Sequence, residues 1–163
     1  MKRKRFNLMH SIVGIALLVV VEAGILFLFG NSPFTAGVIV FFSLGGALGI
    51  VIISTEVIRE VRNADHMLFL LSAVITEFIV FFAFQYWYFS VAMPGSFQGL
   101  VLDPPSLLLN SIMIFALNPL YLPLNAYAKA LLLVNTLGAL SIVLFVLQNI
   151  WQFRSPRQSQ DSL

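Results

Sequence analysis

Two carboxyls lie inside long apolar stretches of this chain, Glu22 in SIVGIALLVVVEAGILFLFG and Glu77 in MLFLLSAVITEFIVFFAF. A charge at mid-bilayer costs at least about 2.5 kcal/mol, so such groups face protein or water and are functional by default. If the two stretches cross a bilayer in the same direction, a rise of 1.5 Å per residue places both carboxyls at similar depth. Together they would form a proton or cation relay; apart, each would be a protonated group hydrogen-bonded to a neighbouring helix. No basic side chain is available to either at that depth. His10 and His66 flank apolar stretches without a second nitrogen or sulfur ligand at helical spacing, so they read as surface histidines and no metal is expected. There is no cysteine, hence no disulfide, thiol nucleophile or thiolate site. No Gly-rich phosphate loop occurs, and Asp103 falls on the opposite side from both histidines. No catalytic residue, cofactor or enzymatic activity is expected.

The third polar feature is Asn118, the one polar side chain between Ile112 and Pro119. It lies near the end of PPSLLLNSIMIFALNPLY, residues 104–121, whose apolar part (residues 107–117) is too short to cross a bilayer and suits a re-entrant segment. Asp103 can cap a helix there, and two prolines suit a first turn that needs no backbone N–H. Asn118-Pro119 breaks the helix, and Pro123 follows. A helix stopping inside a membrane leaves backbone groups that are tolerated only when buried in protein or lining water.

The elements that must position these groups follow from composition. Sixty per cent of the 163 residues are hydrophobic and 10% are charged, the signature of an all-α integral membrane protein with the lipid bilayer as its first partner. Four transmembrane helices are expected at residues 11–30, 35–55, 67–90 and 127–151. The first resembles a secretory signal but continues past Glu22 to a spanning length, so it is read as uncleaved. Gly45 and Gly49, one turn apart in the second, permit close helix contact. The polar loop STEVIREVRNADH is expected to continue the second helix into water. Phe84, Tyr86, Trp87, Tyr88 and Phe89 read as a headgroup-interface cluster. Three units result: a hairpin with its loop (1–66), a helix/re-entrant helix/helix module (67–153) and a disordered tail (154–163). Lys2 to Arg5, Arg59 with Arg62, and Arg154 with Arg157 fall on one side, against Lys129 on the other. Both termini are therefore expected in the cytoplasm, in a plasma membrane of bacterial type. The basic residues read as orientation signals and anionic-lipid contacts, and no nucleic acid is expected.

A span, an outer loop, a short helix, an irregular stretch and a second span form a layout that resembles the pore domain of tetrameric potassium-channel-like proteins, in particular the small two-helix ion channels. Ser111 sits where that pore helix often carries serine. Pro123 and Lys129 match a proline-to-basic spacing after the filter. Gly138 falls within one residue of the glycine at which the inner helix bends. The resemblance implies a homo-oligomer, a tetramer, passing monovalent cations, with Ser111, Ala116, Leu117, Asn118, Pro119, Leu120 and Tyr121 as pore and filter-like residues and Gly138 as hinge. The filter is degenerate: Ala116 to Tyr121 has no glycine, and proline fixes φ near −65°, which the filter conformation does not allow. Two expectations stand side by side. One is a tetrameric pore lacking a normal potassium filter; the other is a non-conducting four-span scaffold or accessory subunit of a membrane complex.

Overall fold

A computed structural model describes residues 8–59 and 64–154, and side chains within 9–56 and 66–148. The basic cluster Lys2 to Arg5, the loop residues Glu60 and Arg62, and the tail with Arg157 lie outside the described residues. The chain forms α1 (Leu8–Phe29), α2 (Pro33–Arg59), α3 (Ala64–Ala92), β1 (Phe97–Gln98), α4 (Pro104–Phe115), β2 (Leu122–Pro123) and α5 (Ala126–Arg154). Within the described residues α1, α2, α3 and α5 are long and apolar enough to cross a membrane, over Met9–Phe29, Pro33–Glu56, His66–Ala92 and Ala126–Gln148. The protein is an all-α membrane protein.

Local chemistry sets the first hairpin. Gly30 takes a left-handed φ of 61° and donates its N–H to the Leu26 carbonyl, which closes α1. Two residues later Ser32 accepts from the Thr35 N–H at 3.1 Å, and Pro33 occupies the first turn of α2.

α3 is the central helix, in contact with α1, α2, α4 and α5. Its Phe78, Phe81, Phe82, Tyr86 and Phe89 are fully enclosed and share one core with Ala36, Ile39 and Ile50 of α2 and Leu131 and Ile142 of α5. The first hairpin and the later module therefore fold around a common core. The interface cluster expected at the end of α3 divides by helix phase. Phe84 and Trp87 face outward, while Tyr86 and Phe89 turn inward onto the Phe97 ring at 5.3 and 5.8 Å.

The glycine contact also has a different phase from the one expected. Nothing lies within 4 Å of a Cβ built at Gly45 or Gly49, whereas one at Gly46 falls 2.3 Å from the Phe81 ring. Only Gly46 shares the inward face with Ser43, Ala47 and Ile50. Gly46→Ala is accordingly expected to destabilise by roughly 1–3 kcal/mol, because the enclosed Phe81 ring cannot move aside. Gly45→Ala serves as its neutral partner. Thermal unfolding of the two variants in detergent checks this; equal melting temperatures would contradict the Gly46–Phe81 contact.

At the end of the bundle where α3 finishes, called upper below, β1 and β2 pair antiparallel, Phe97 with Pro123 and Gln98 with Leu122. Asn125 caps α5 by accepting from the Ala128 N–H at 2.8 Å and donates to Ser96 Oγ at 2.7 Å. The start of α5 is thereby fastened to the end of α3.

Candidate functional site

α4 begins with the chemistry its sequence announces. Asp103 is extended (φ −94°, ψ 146°) and accepts from the Ser106 N–H at 2.9 Å, with prolines in the first turn. Ser106, through its hydroxyl and its backbone N–H, holds the exposed Asp103 carboxyl below the ordinary carboxylate range. A carboxyl with a lowered folded pKa stabilises above its unfolded value, and that contribution is lost as pH falls through the folded one. The protection factor of the Ser106 amide, its exchange rate corrected for the intrinsic rate at each pH, should therefore fall in acid in the wild type. Asp103→Asn should keep the cap and hold the protection factor constant with pH, and Asp103→Ala should lose protection throughout. A wild-type protection factor that does not change with pH would contradict this.

The helix then runs back along α3. Pro104, Leu107 and Leu108 border the outward groove with Val80, Phe84 and Trp87, and Phe115 meets Phe78 ring to ring at 5.5 Å. Phe78 is the midpoint of the 29-residue α3. From there the chain returns to the upper end, where β2 pairs with β1. Ser111 is buried and donates to the Leu107 carbonyl of its own helix at 3.1 Å.

The tip is closed by backbone bonds. The Asn118 N–H donates to the Met113 carbonyl at 3.1 Å and the Leu117 N–H to the Ile114 carbonyl at 2.9 Å. This pair of bonds is a Schellman closure, and its left-handed position, φ 56°, is taken by Leu117 where glycine is usual. The return stretch is fastened from behind, because the buried Asn110 Oδ1 accepts from the Leu120 N–H at 3.1 Å. Ala116, Leu117, Asn118 and Leu120 are exposed on this chain, and Pro119 and Tyr121 half-buried. The filter-like residues thus form one exposed tip and return. Gly138 stands apart from it: α5 runs unbroken through it, and a Cβ there would lie 2.7 Å from the Phe78 ring.

The two carboxyls are not brought together. Gln85 Nε2 donates to Glu22 Oε2 at 2.6 Å, while Ser11 Oγ donates to Glu77 Oε1 at 2.7 Å. α1 and α3 run parallel, yet Ser11 is three residues into α1 while Glu77 is thirteen into α3. The expectation of similar depth took the two helices to start level. With the observed stagger the carboxyls lie roughly 12–16 Å apart along the axes, at 1.5 Å per residue.

Glu22 is enclosed, and its partner Gln85 belongs to a network across three helices. Gln85 Oε1 lies 2.8 Å from Ser43 Oγ, itself 2.8 Å from the Ile39 carbonyl, so the single Ser43 proton serves one of the two at a time. Tyr88 adds a bond from its hydroxyl to the Val19 carbonyl at 3.2 Å. Glu77 is half-buried beside a groove between α1 and α3 lined by Ile12, Ile15, Phe69, Thr76 and Phe81.

Sequence reasoning passed over Ser43, Gln85, Asn110 and Asn135, all buried, because apart from Asn118 and Ser111 it weighed only ionisable groups inside the apolar stretches. The signal was present: an amide inside an apolar span needs a partner as a carboxyl does. Among the described residues no group of three or more His, Cys, Asp or Glu could hold a metal ion. No protein-family model, curated protein or solved structure matches the chain.

Proposed function

We propose that this membrane protein is a homo-oligomeric, ion-channel-like protein in which copies meet around the tip of α4, with Asn118 beside a path for monovalent cations. The observation that carries the reading is the position of the tip. In a bilayer a helix ending level with the middle of α3 is re-entrant, and its irregular backbone must be covered by protein or line water. Ala116, Leu117 and Asn118 are uncovered on a single chain, so further copies and a water-filled path supply what is missing. The outward leucines of α5, Leu133, Leu137, Leu140 and Leu144, continue the uncovered surface. The layout that resembles tetrameric channels suggests four copies. The positive-inside pattern of the sequence puts the termini in the cytoplasm and the α4 loop outside.

The test is oligomeric state. The sequence has no cysteine, so in Asn118→Cys every thiol is at the tip. Native mass measurement in nanodiscs should give a tetramer, and mild oxidation should link Asn118→Cys chains in pairs. An impermeant maleimide on intact cells should label Asn31→Cys and Gln98→Cys but not Ser159→Cys.

A specific observation favours a second reading. The Schellman closure and the Asn110–Leu120 bond satisfy tip carbonyls and an amide within one chain, as a buried cap in a scaffold or accessory subunit would require. A strictly monomeric protein whose liposomes pass no ions sinks the first reading and leaves this one.

A further inference from the structure

Behind the tip, between α3, α4 and α5, the Tyr86 hydroxyl stands next to the side chains of Asn135 and Asn110. All three residues are enclosed, at 0%, 0% and 1% exposure. Tyr86 Oη, Asn135 Nδ2 and Asn135 Oδ1 lie close together, yet among the described residues none of them makes a hydrogen bond of good geometry. Buried polar groups are almost always paired, and each one left bare carries a desolvation penalty. Rotating Tyr86 and Asn135 onto one another does not remove the problem. A direct bond satisfies one end of the Asn135 amide, and Asn110 Oδ1, which already accepts from the Leu120 N–H, has room for one donor more, so at least one of the two Asn135 N–H groups stays bare. One turn further toward the upper end of α3, Ser90 Oγ is also buried and has no partner among the described residues; residues four apart share a helix face.

We propose that this junction is an internal water site, holding one or more ordered waters bonded to Tyr86 and Asn135 and reached from the upper end past Ser90. The chemistry selects water over the alternatives. A hard cation seeks about six oxygen ligands, and the unpartnered oxygens here are few and uncharged. An apolar guest would leave the amide unsatisfied. Water both donates and accepts and makes about three bonds in buried sites. Its consequence is positional: the hydrated pocket backs onto Asn110, whose carbonyl oxygen holds the return stretch at Leu120. The site lies within one chain and does not depend on oligomerisation or conduction.

X-ray hydroxyl-radical footprinting of the full chain in nanodiscs, in ¹⁸O-labelled water, tests the proposal, since a bound water generates radicals beside the groups it touches. Phe82, equally enclosed and packed against other rings, is the internal standard. Tyr86 should be modified severalfold faster than Phe82; a rate equal to that of Phe82 overturns the water site. In Asn135→Leu the Tyr86 rate should fall to the Phe82 level and the melting temperature should drop. Should that variant fail to fold, the wild-type ratio alone still decides between a wet and a dry junction. An Asn135→Leu protein that melts higher with Tyr86 unchanged also overturns the proposal, because removing a dry, bare amide stabilises.

Discussion

Gln85→Leu is expected to lower the melting temperature of the purified protein by about 3–10 °C, corresponding to roughly 1–3 kcal/mol for stranding a buried polar group in a chain of this size. Among the described residues the substitution removes the one donor to Glu22, whose other oxygen already has no partner. Ser43 is little affected, because the Ile39 carbonyl remains 2.8 Å away. Glu22→Leu alone should also destabilise, by leaving the Gln85 amide without its acceptor. The double variant should be more stable than either single one, because replacing both partners by apolar groups removes the bare atoms instead of creating them. A double-mutant cycle in detergent measures the coupling. Strictly additive losses would contradict a direct Glu22–Gln85 bond.

Asn118 is the residue whose substitution should change conduction most under the proposed function. The end of a short helix carries about half a negative charge, which favours a nearby cation. A full charge there adds an attraction of about 1 kcal/mol even at the dielectric of water, equivalent to about fivefold higher local cation occupancy. Asn118→Asp should therefore raise cation flux into liposomes severalfold, and the gain should vanish below about pH 4 as the new carboxyl protonates. Asn118→Leu should suppress flux. Because the wild-type side chain is exposed on the single chain, both variants should fold and assemble normally. Equal flux in all three proteins removes Asn118 from the path.

The sequence made the long helices legible because a bilayer demands apolar length, and it made α4 legible because Asp103-Pro104-Pro105 is a helix start with a mechanism. It did not reveal helix phase. In a lipid-embedded bundle, core-facing and lipid-facing residues are equally apolar, so Phe81 and Phe84 look alike in the chain although one is enclosed and the other exposed. For the same reason Gly45 and Gly49 suggested a contact that Gly46 makes. The stagger of α1 against α3 was equally hidden, since hydrophobic runs fix length and leave register to side-chain bonds such as Ser11–Glu77. Gln85, Asn110 and Asn135 carried that information, and each is a neutral amide that charge counting ignores. The αL turn at Leu117 had no glycine or asparagine to announce it.

The bond between Glu22 and Gln85 joins residues 63 positions apart. Ribosomes add roughly 5–20 residues per second, so a nascent α1 waits about 3–13 s in or beside the translocon before its partner on α3 emerges. During that interval the hairpin holds a carboxyl with no lasting acceptor or donor, and its residence in lipid is costly. α1 and α2 are therefore a provisional membrane insert that becomes permanent when α3 arrives and packs against both. A message truncated before Gln85 leaves a hairpin whose Glu22 lacks the donor that the full chain supplies.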